Sequence, residues 1–324
     1  MTAATITDAV SVAPAGRRFN RRTVLRSRKI KAGLALIGIF ILMGVIGPWV
    51  SPYDPSANVA GTMLPPSLSH PFGTTALGED VLSQVLSGTR LSLEVGVVAA
   101  LIGETIAAIV GITAGYLGGL ADEGLSLLTN IFLVIPILPL QILIIAYLGN
   151  TGWFLMALII ALTGWSHGSR KLRAQTLSIR RRDFVEAARA AGEPNWRIIL
   201  FEILPNEWAI IATGFLFHVL TGIIVQTSLS FLGLGRLSSW SWGAMLYWSQ
   251  NNNAFLVGAW WWYLPPGICL ALVGMGLALV NLGIDEVINP RLRDGGRLPG
   301  RSGARRRHSD PAPAGQTGRS ARKK

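Results

Sequence analysis

Few side chains in this sequence could do chemistry, and most of those stand alone. Glu104 and His218 sit in the middle of long apolar runs, and Glu94 lies nearer the end of the first of these. If the runs cross a bilayer, such groups are costly to bury and should face a bundle interior or a water-filled path. One reading makes Glu104 and His218 part of a solute path, joined by a hydrogen bond. The other leaves a protonated Glu104 bonded to a nearby backbone or hydroxyl group. The four histidines (His70, His167, His218, His308) have no ligand spacing to one another, so no metal site is expected. The one cysteine, Cys269, allows neither an intrachain disulfide nor a thiolate cluster. None of the five lysines follows a glycine, which excludes a phosphate-binding P-loop. No catalytic residue and no cofactor-binding residue is expected.

A second spacing is built for shape. In Arg182-Asp183-Phe184-Val185-Glu186-Ala187-Ala188-Arg189-Ala190-Ala191-Gly192, Asp183 can cap a helix, with Glu186 three residues on as its capping-box partner. Gly192 suits the left-handed position just beyond the helix end. Phe184, Ala187, Ala188 and Ala191 then share one small apolar face. Such a face can receive another protein surface or pack back on its own bundle. Pro194 can open a further helix running toward Leu204-Pro205.

The elements that carry these residues are long and apolar. Half of the 324 residues are hydrophobic and only 14% are charged, where a soluble domain carries nearer a quarter. The net charge of +12 sits in blocks between apolar runs rather than over a folded face, which argues against nucleic-acid binding. Crossing a ~30 Å hydrocarbon layer takes roughly 20 apolar residues in a helix. Six segments qualify or come close: 32–50, 91–114, about 125–148 with a kink at Pro136 and Pro139, 153–165, within 208–227, and within 258–282. With six spans, 27 of the 29 Lys and Arg fall on one side, so the positive-inside rule places both termini and the 167–206 loop in the cytoplasm. A five- or seven-span count would divide the basic blocks. The first apolar run is too long for the core of a signal peptide and is read as a retained span. The expected organisation is a basic cytoplasmic tail (1–31), a first span (32–50), and an external segment with a pre-span helix (51–90). A core of five spans follows (91–283), holding the 167–206 loop, and then a basic tail (284–324) expected to be disordered and to lie near anionic lipid. Trp240, Trp242 and Trp248 in the external stretch 228–257 read as interfacial anchors.

Glu186-Ala187-Ala188, then Gly192 and Ile203-Leu204-Pro205, resembles the EAA loop of ABC importer permease subunits. The resemblance extends to His70-Pro71-Phe72-Gly73-Thr74, Leu77-Gly78-Glu79-Asp80, Gly88-Thr89-Arg90-Leu91-Ser92-Leu93 and Ala114-Gly115-Tyr116-Leu117-Gly118-Gly119. It continues through Leu229-Ser230-Phe231-Leu232-Gly233-Leu234-Gly235, Ser241-Trp242-Gly243, Pro265-Pro266-Gly267 and Asn289-Pro290-Arg291-Leu292. In order and spacing these are similar to the dipeptide/oligopeptide/nickel family, second-permease type. The sequence departs from the family pattern at Glu202, Gln226 and Gly78-Glu79-Asp80.

The resemblance implies an all-α integral membrane protein of the type I ABC importer permease fold, with six transmembrane helices and cytoplasmic coupling helices. It implies docking of an ATPase subunit by Asp183, Phe184, Glu186, Ala187, Ala188, Ala191 and Gly192 with Leu204 and Pro205, and alternating access driven from there. ATP and Mg would sit on two separate ATPase subunits. A second homologous permease, a solute-binding protein and membrane lipid would be the other partners, in a prokaryotic cell membrane. The substrate would be a di- or oligopeptide or a related small solute. The 228–257 stretch would reach toward the cavity and the binding protein. An ion-gradient-driven secondary transporter with Glu104 as its titrating group is the competing reading, but it should show inverted repeats, and the sequence shows none. A membrane enzyme lacks any nucleophile–base pair.

Overall fold

The computed structural model describes residues 27–149 and 151–288. The basic tails up to Arg26 and from Asn289, with the Asn289-Pro290-Arg291-Leu292 motif, lie outside the described residues. Among those residues the structure is helical apart from an isolated bridge between Thr74 and Asp80. The helices are α1 (Arg28–Val50), α2 (Val81–Leu117), α3 (Gly119–Val134), α4 (Ile137–Leu148), α5 (Trp153–Gly164) and α6 (Ser166–Ile179). After them come α7 (Asp183–Ala190), α8 (Asn195–Ile198), a π-helical turn (Ile199–Ile203), α9 (Leu204–Phe231), α10 (Trp242–Asn251) and α11 (Trp260–Ile288).

By length and apolarity four segments can cross a membrane: α1, α2, the continuous run Asn195–Phe231, and α11. A fifth forms if α3 and α4 count as one span broken by 81°. The break falls at Ile135–Pro136, with Pro139 in the first turn of α4, because proline lacks the N–H that would continue the ladder. The kink expected there is therefore a sharp elbow. The 153–165 segment forms only the twelve-residue α5, short of a span by itself. Among the described residues there are thus four to five candidate spans where six are expected.

α2 begins ten residues before the apolar run that announces it. Asp80 caps it: one carboxylate oxygen accepts from Ser83 N (2.8 Å) and Ser83 Oγ (2.7 Å), and the other lies 2.9 Å from His70 Nδ1. All three residues are buried. A strong cap extends a helix through polar residues that hydropathy alone would leave outside. Glu79 beside it is also buried and accepts from Thr75 Oγ1 (3.1 Å) and Gln84 Nε2 (2.9 Å), while burial pushes its carboxyl above the usual range. The segment before α2 is thus folded against its start.

α2 is the axis of the bundle, packed on α1, α5, α6 and α9. Two glycines decide how close its neighbours come. A Cβ on Gly111 would lie 2.5 Å from the Ser169 carbonyl oxygen of α6, and one on Gly96 would lie 2.4 Å from Ile223 of α9. Small residues at such crossings let backbones approach, the main source of helix association where no hydrophobic effect operates. Gly111→Val should therefore lower stability by about 1–3 kcal/mol. Gly124→Ala, which meets nothing within 4 Å, should not. Retention of monodisperse protein after graded heating in detergent reads the difference, and equal losses would contradict the packing.

Candidate functional site

Two places in the fold gather unusual residues: the connection between α6 and α9, and the polar centre of the bundle.

α7 starts one residue earlier than its sequence suggests. Arg182, in extended conformation, is the N-cap residue, and its carbonyl accepts from Val185 N (2.9 Å) and Glu186 N (3.1 Å). Asp183 is the first helical residue, and no side chain caps the end, so the proposed Asp183–Glu186 capping box does not form. Both carboxylates still lie in the first turn, where the helix dipole favours negative charge. At the other end the expectation holds. Gly192 has φ +79°, Glu193 N donates to Ala188 O (3.2 Å) and Gly192 N to Arg189 O (3.1 Å), the paired bonds of a Schellman motif.

Val185, which the apolar-face count passed over, holds α7 to the bundle. It is fully buried, in a cluster with Ile112 and Tyr116 of α2, Ile179 of α6, and Ile198 and Ile203. Ala188 packs against the same cluster. Arg189 lies over the Tyr116 ring at 5.5 Å, and Tyr116 Oη donates to Asn195 Oδ1 (3.2 Å). Arg180 Nη1 donates to Gly115 O at 3.0 Å. On the opposite side Phe184, Glu186, Ala187 and Ala191 are exposed, and so is Trp196 of α8. The two fates the sequence left open are thus divided between two faces of one short helix. Leu204 is half-buried and Pro205 exposed in the first turn of α9.

At the bundle centre, Nδ1 of His218 on α9 lies 2.7 Å from Oε2 of Glu104 on α2. Glycines make the space: a Cβ on Gly214 would sit 2.6 Å from Glu104 Oε1, and one on Gly168 would sit 3.1 Å from His218 Cε1. Glu104 lines a cavity of about 660 Å³ between α2 and α9, whose wall is otherwise mostly apolar and includes Trp208 and Phe215. His218 lines a second of about 220 Å³, with Gln141, His167 and Thr221. This hydrogen-bonded pair therefore links the walls of two cavities. Gln141 donates to Thr163 Oγ1 (2.7 Å), while its buried Oε1 has no partner among the described residues. Sequence reading missed Gln141, although a glutamine inside an apolar run carries the same signal as Glu104. Among the described residues no group of acidic, histidine or cysteine side chains could hold a metal.

Comparison with known proteins places the chain in a family. Residues 107–294 match the family described as binding-protein-dependent transport system inner membrane component. Residues 21–66 match the N-terminal transmembrane domain of oligopeptide transport permease C. The chain is 34% identical over 275 residues to a dipeptide transport system permease protein of Bacillus subtilis, covering 84% of this chain and 85% of the relative. An oligopeptide transport system permease protein of the same organism is 33% identical over 272 residues, 83% of this chain and 88% of the relative. A probable D,D-dipeptide transport system permease protein of Escherichia coli is 32% identical over 258 residues, 79% of this chain and 85% of the relative.

The Glu104–His218 pair invites a double-mutant cycle. Removing one partner leaves the other without its hydrogen bond, so Glu104→Ala and His218→Ala should each cost about 1–3 kcal/mol. The double variant should cost less than their sum by about 0.5–3 kcal/mol. Denaturant unfolding in mixed micelles measures all three, and strict additivity would mean that the two groups do not interact.

Proposed function

The chain belongs to the family of binding-protein-dependent transport system inner membrane components, and on that premise we propose that it forms half of the translocation path of an ATP-driven importer of di- or oligopeptides. It is a permease of a binding-protein-dependent ABC system in the inner membrane, and not itself an enzyme. ATP is used by partner ATPase subunits, and a binding protein delivers the solute. The peptide assignment rests on the names of the relatives, which are dipeptide and oligopeptide permeases.

The observation that carries the mechanism is the two-faced α7. Buried Val185 fixes the helix to α2, α6 and the α8–α9 run, while Phe184, Ala187 and Ala191, and Trp196 of α8, are left exposed by the described residues. A rigidly held helix with a small apolar outer face suits a groove on an ATPase subunit, and a push on it would pass directly into α2 and α9. Asp183, Glu186 and Gly192 shape the ends of that dock, and Leu204 and Pro205 carry its motion into α9.

The same reading gives six spans. α5 alone reaches only ~18 Å, but Trp165 keeps right-handed helical backbone between α5 and α6, so α5–α6 together have the length to cross. α1, α2, the α3–α4 elbow, α5–α6, α9 and α11 are then the spans, with α7 on the cytoplasmic side and both termini beside it. A second homologous permease would complete the large cavity, and Glu104 and His218 would face the path.

Reconstitution in vesicles with the second permease, two ATPase subunits and a binding protein tests this. Peptide uptake should require ATP and persist when H⁺ and Na⁺ gradients are collapsed; uptake driven by a gradient without ATP would overturn the reading. Gly192→Asp places a non-glycine residue at φ +79° and a charge at the dock. It should abolish most uptake, and normal uptake with normal ATPase association would remove α7 from the mechanism.

A further inference from the structure

The turn between α10 and α11 carries three adjacent large apolar side chains on its tip. Phe255, Leu256 and Val257 are 77%, 79% and 62% exposed, while Ala254 and Ala259 at its base are buried. In water this would be a costly surface, and the turn is not loosely made. Leu256 N and Val257 N both donate to Asn253 O (2.9 and 3.2 Å), Gly258 N donates to Phe255 O (3.3 Å), Ala259 N to Ala254 O (2.8 Å) and Trp260 N to Gly258 O (2.9 Å). Five successive backbone N–H groups are thus satisfied inside the turn itself. Asn253 (φ +55°) and Gly258 (φ +74°) adopt the left-handed conformations that close it.

A loop in water has no need to satisfy its own backbone, because the solvent does so. A loop in contact with hydrocarbon must. The surroundings agree. No charged residue occurs between Arg236 and Asp285, so no ion pair awaits a protein partner in this stretch. The tip also continues a face of α11. Trp260, Leu264, Ile268, Met275 and Leu282 are exposed and, at 100° per residue, fall within a sector of about 80°. The stripe starts one residue after the turn closes, with exposed Trp260, a residue type that gathers at a membrane interface.

We propose that Phe255-Leu256-Val257 inserts into the interfacial layer of the lipid bilayer as an anchor. Trp261 Nε1 donates to Thr74 O (3.2 Å), so the anchor also holds the folded external segment down at the membrane surface.

A fluorophore that reports local polarity tests this on the full chain in lipid vesicles. Cys269 is replaced by Ala, and a single cysteine is placed at Leu256, with a second version at Val257 in case the first folds poorly. Asn58→Cys, exposed in the external segment, serves as the aqueous reference. The probe at 256 or 257 should emit at shorter wavelength than at 58 and be quenched severalfold more by lipids carrying a nitroxide high on the acyl chain. Adding the binding protein or the second permease should leave that signal unchanged. Water-like emission with no lipid quenching overturns the proposal, and so does shielding that arises only when either protein partner is added.

Discussion

Inside hydrocarbon nothing but the protein can receive a hydrogen bond, and a polar group left without one costs several kcal/mol. Most polar side chains at depth among the described residues meet that condition, with the buried Oε1 of Gln141 and Oγ1 of Thr227 among the exceptions. Several threonines of the long helices turn back on their own backbone, as Thr89 does to Val85 O, Thr105 to Leu101 O and Thr221 to Phe217 O. Groups too long for that solution reach another helix: Gln141 of α4 finds Thr163 of α5, and Glu104 of α2 finds His218 of α9. These longer bonds need neighbouring helices to come close, and glycine supplies the approach at Gly96 and Gly111, with Gly168 and Gly214 leaving room for the pair itself. Polar satisfaction and glycine placement are one requirement seen twice.

The same packing stiffens the connection between α6 and α9. α7 is only two turns long and would not hold its shape alone. It is fixed at three points: Val185 in the cluster shared with Tyr116, Ile198 and Ile203; Arg189 over the Tyr116 ring; and the Schellman turn at Gly192. The π-helical turn at Ile199–Ile203 makes α8 and α9 one uninterrupted element. Force applied to α7 therefore meets α2 and α9 without passing through a slack loop, and those are the two helices that carry Glu104 and His218.

What the sequence could and could not say follows from the range of each signal. Apolar runs mark the interior of a helix and not its start, so α1, α4 and α11 were located well while α2 was begun ten residues late. Its beginning depends on Asp80, whose hold on Ser83 and His70 is a tertiary fact. Gly192 was legible because a positive φ is a local demand. Asp183 was misplaced by one residue because Arg182, which has no capping side chain, took the cap position for reasons of backbone path. Val185 was missed because the apolar periodicity was counted from Phe184, and only the position of Tyr116, far away in the chain, shows which side of α7 faces inward. The Glu104–His218 contact could be suspected from two ionisable groups at depth, but which helices face each other is not written in either run.

Exposure has two meanings in such a protein, and the candidate site depends on separating them. An exposed leucine on α1 or α11 loses nothing against lipid tails, whereas a large apolar side chain turned to water forgoes roughly 1.5–3 kcal/mol. Leu42, Val45 and Leu282 therefore say nothing about partners, although they are as exposed as Trp196. Phe184 and Trp196 are different in kind, for exposed Arg181, Arg182, Arg189 and Arg197 lie close to them in the sequence, and such charge makes hydrocarbon an unfavourable cover. Apolar surface amid charge is paid for only if something covers it. The tip at Phe255–Val257 reverses the case, since there the absence of charge and the closed backbone make lipid the fitting cover. Judged by its local solvent rather than by area alone, the exposed surface of this chain divides into a part that awaits a protein and a part that awaits the membrane.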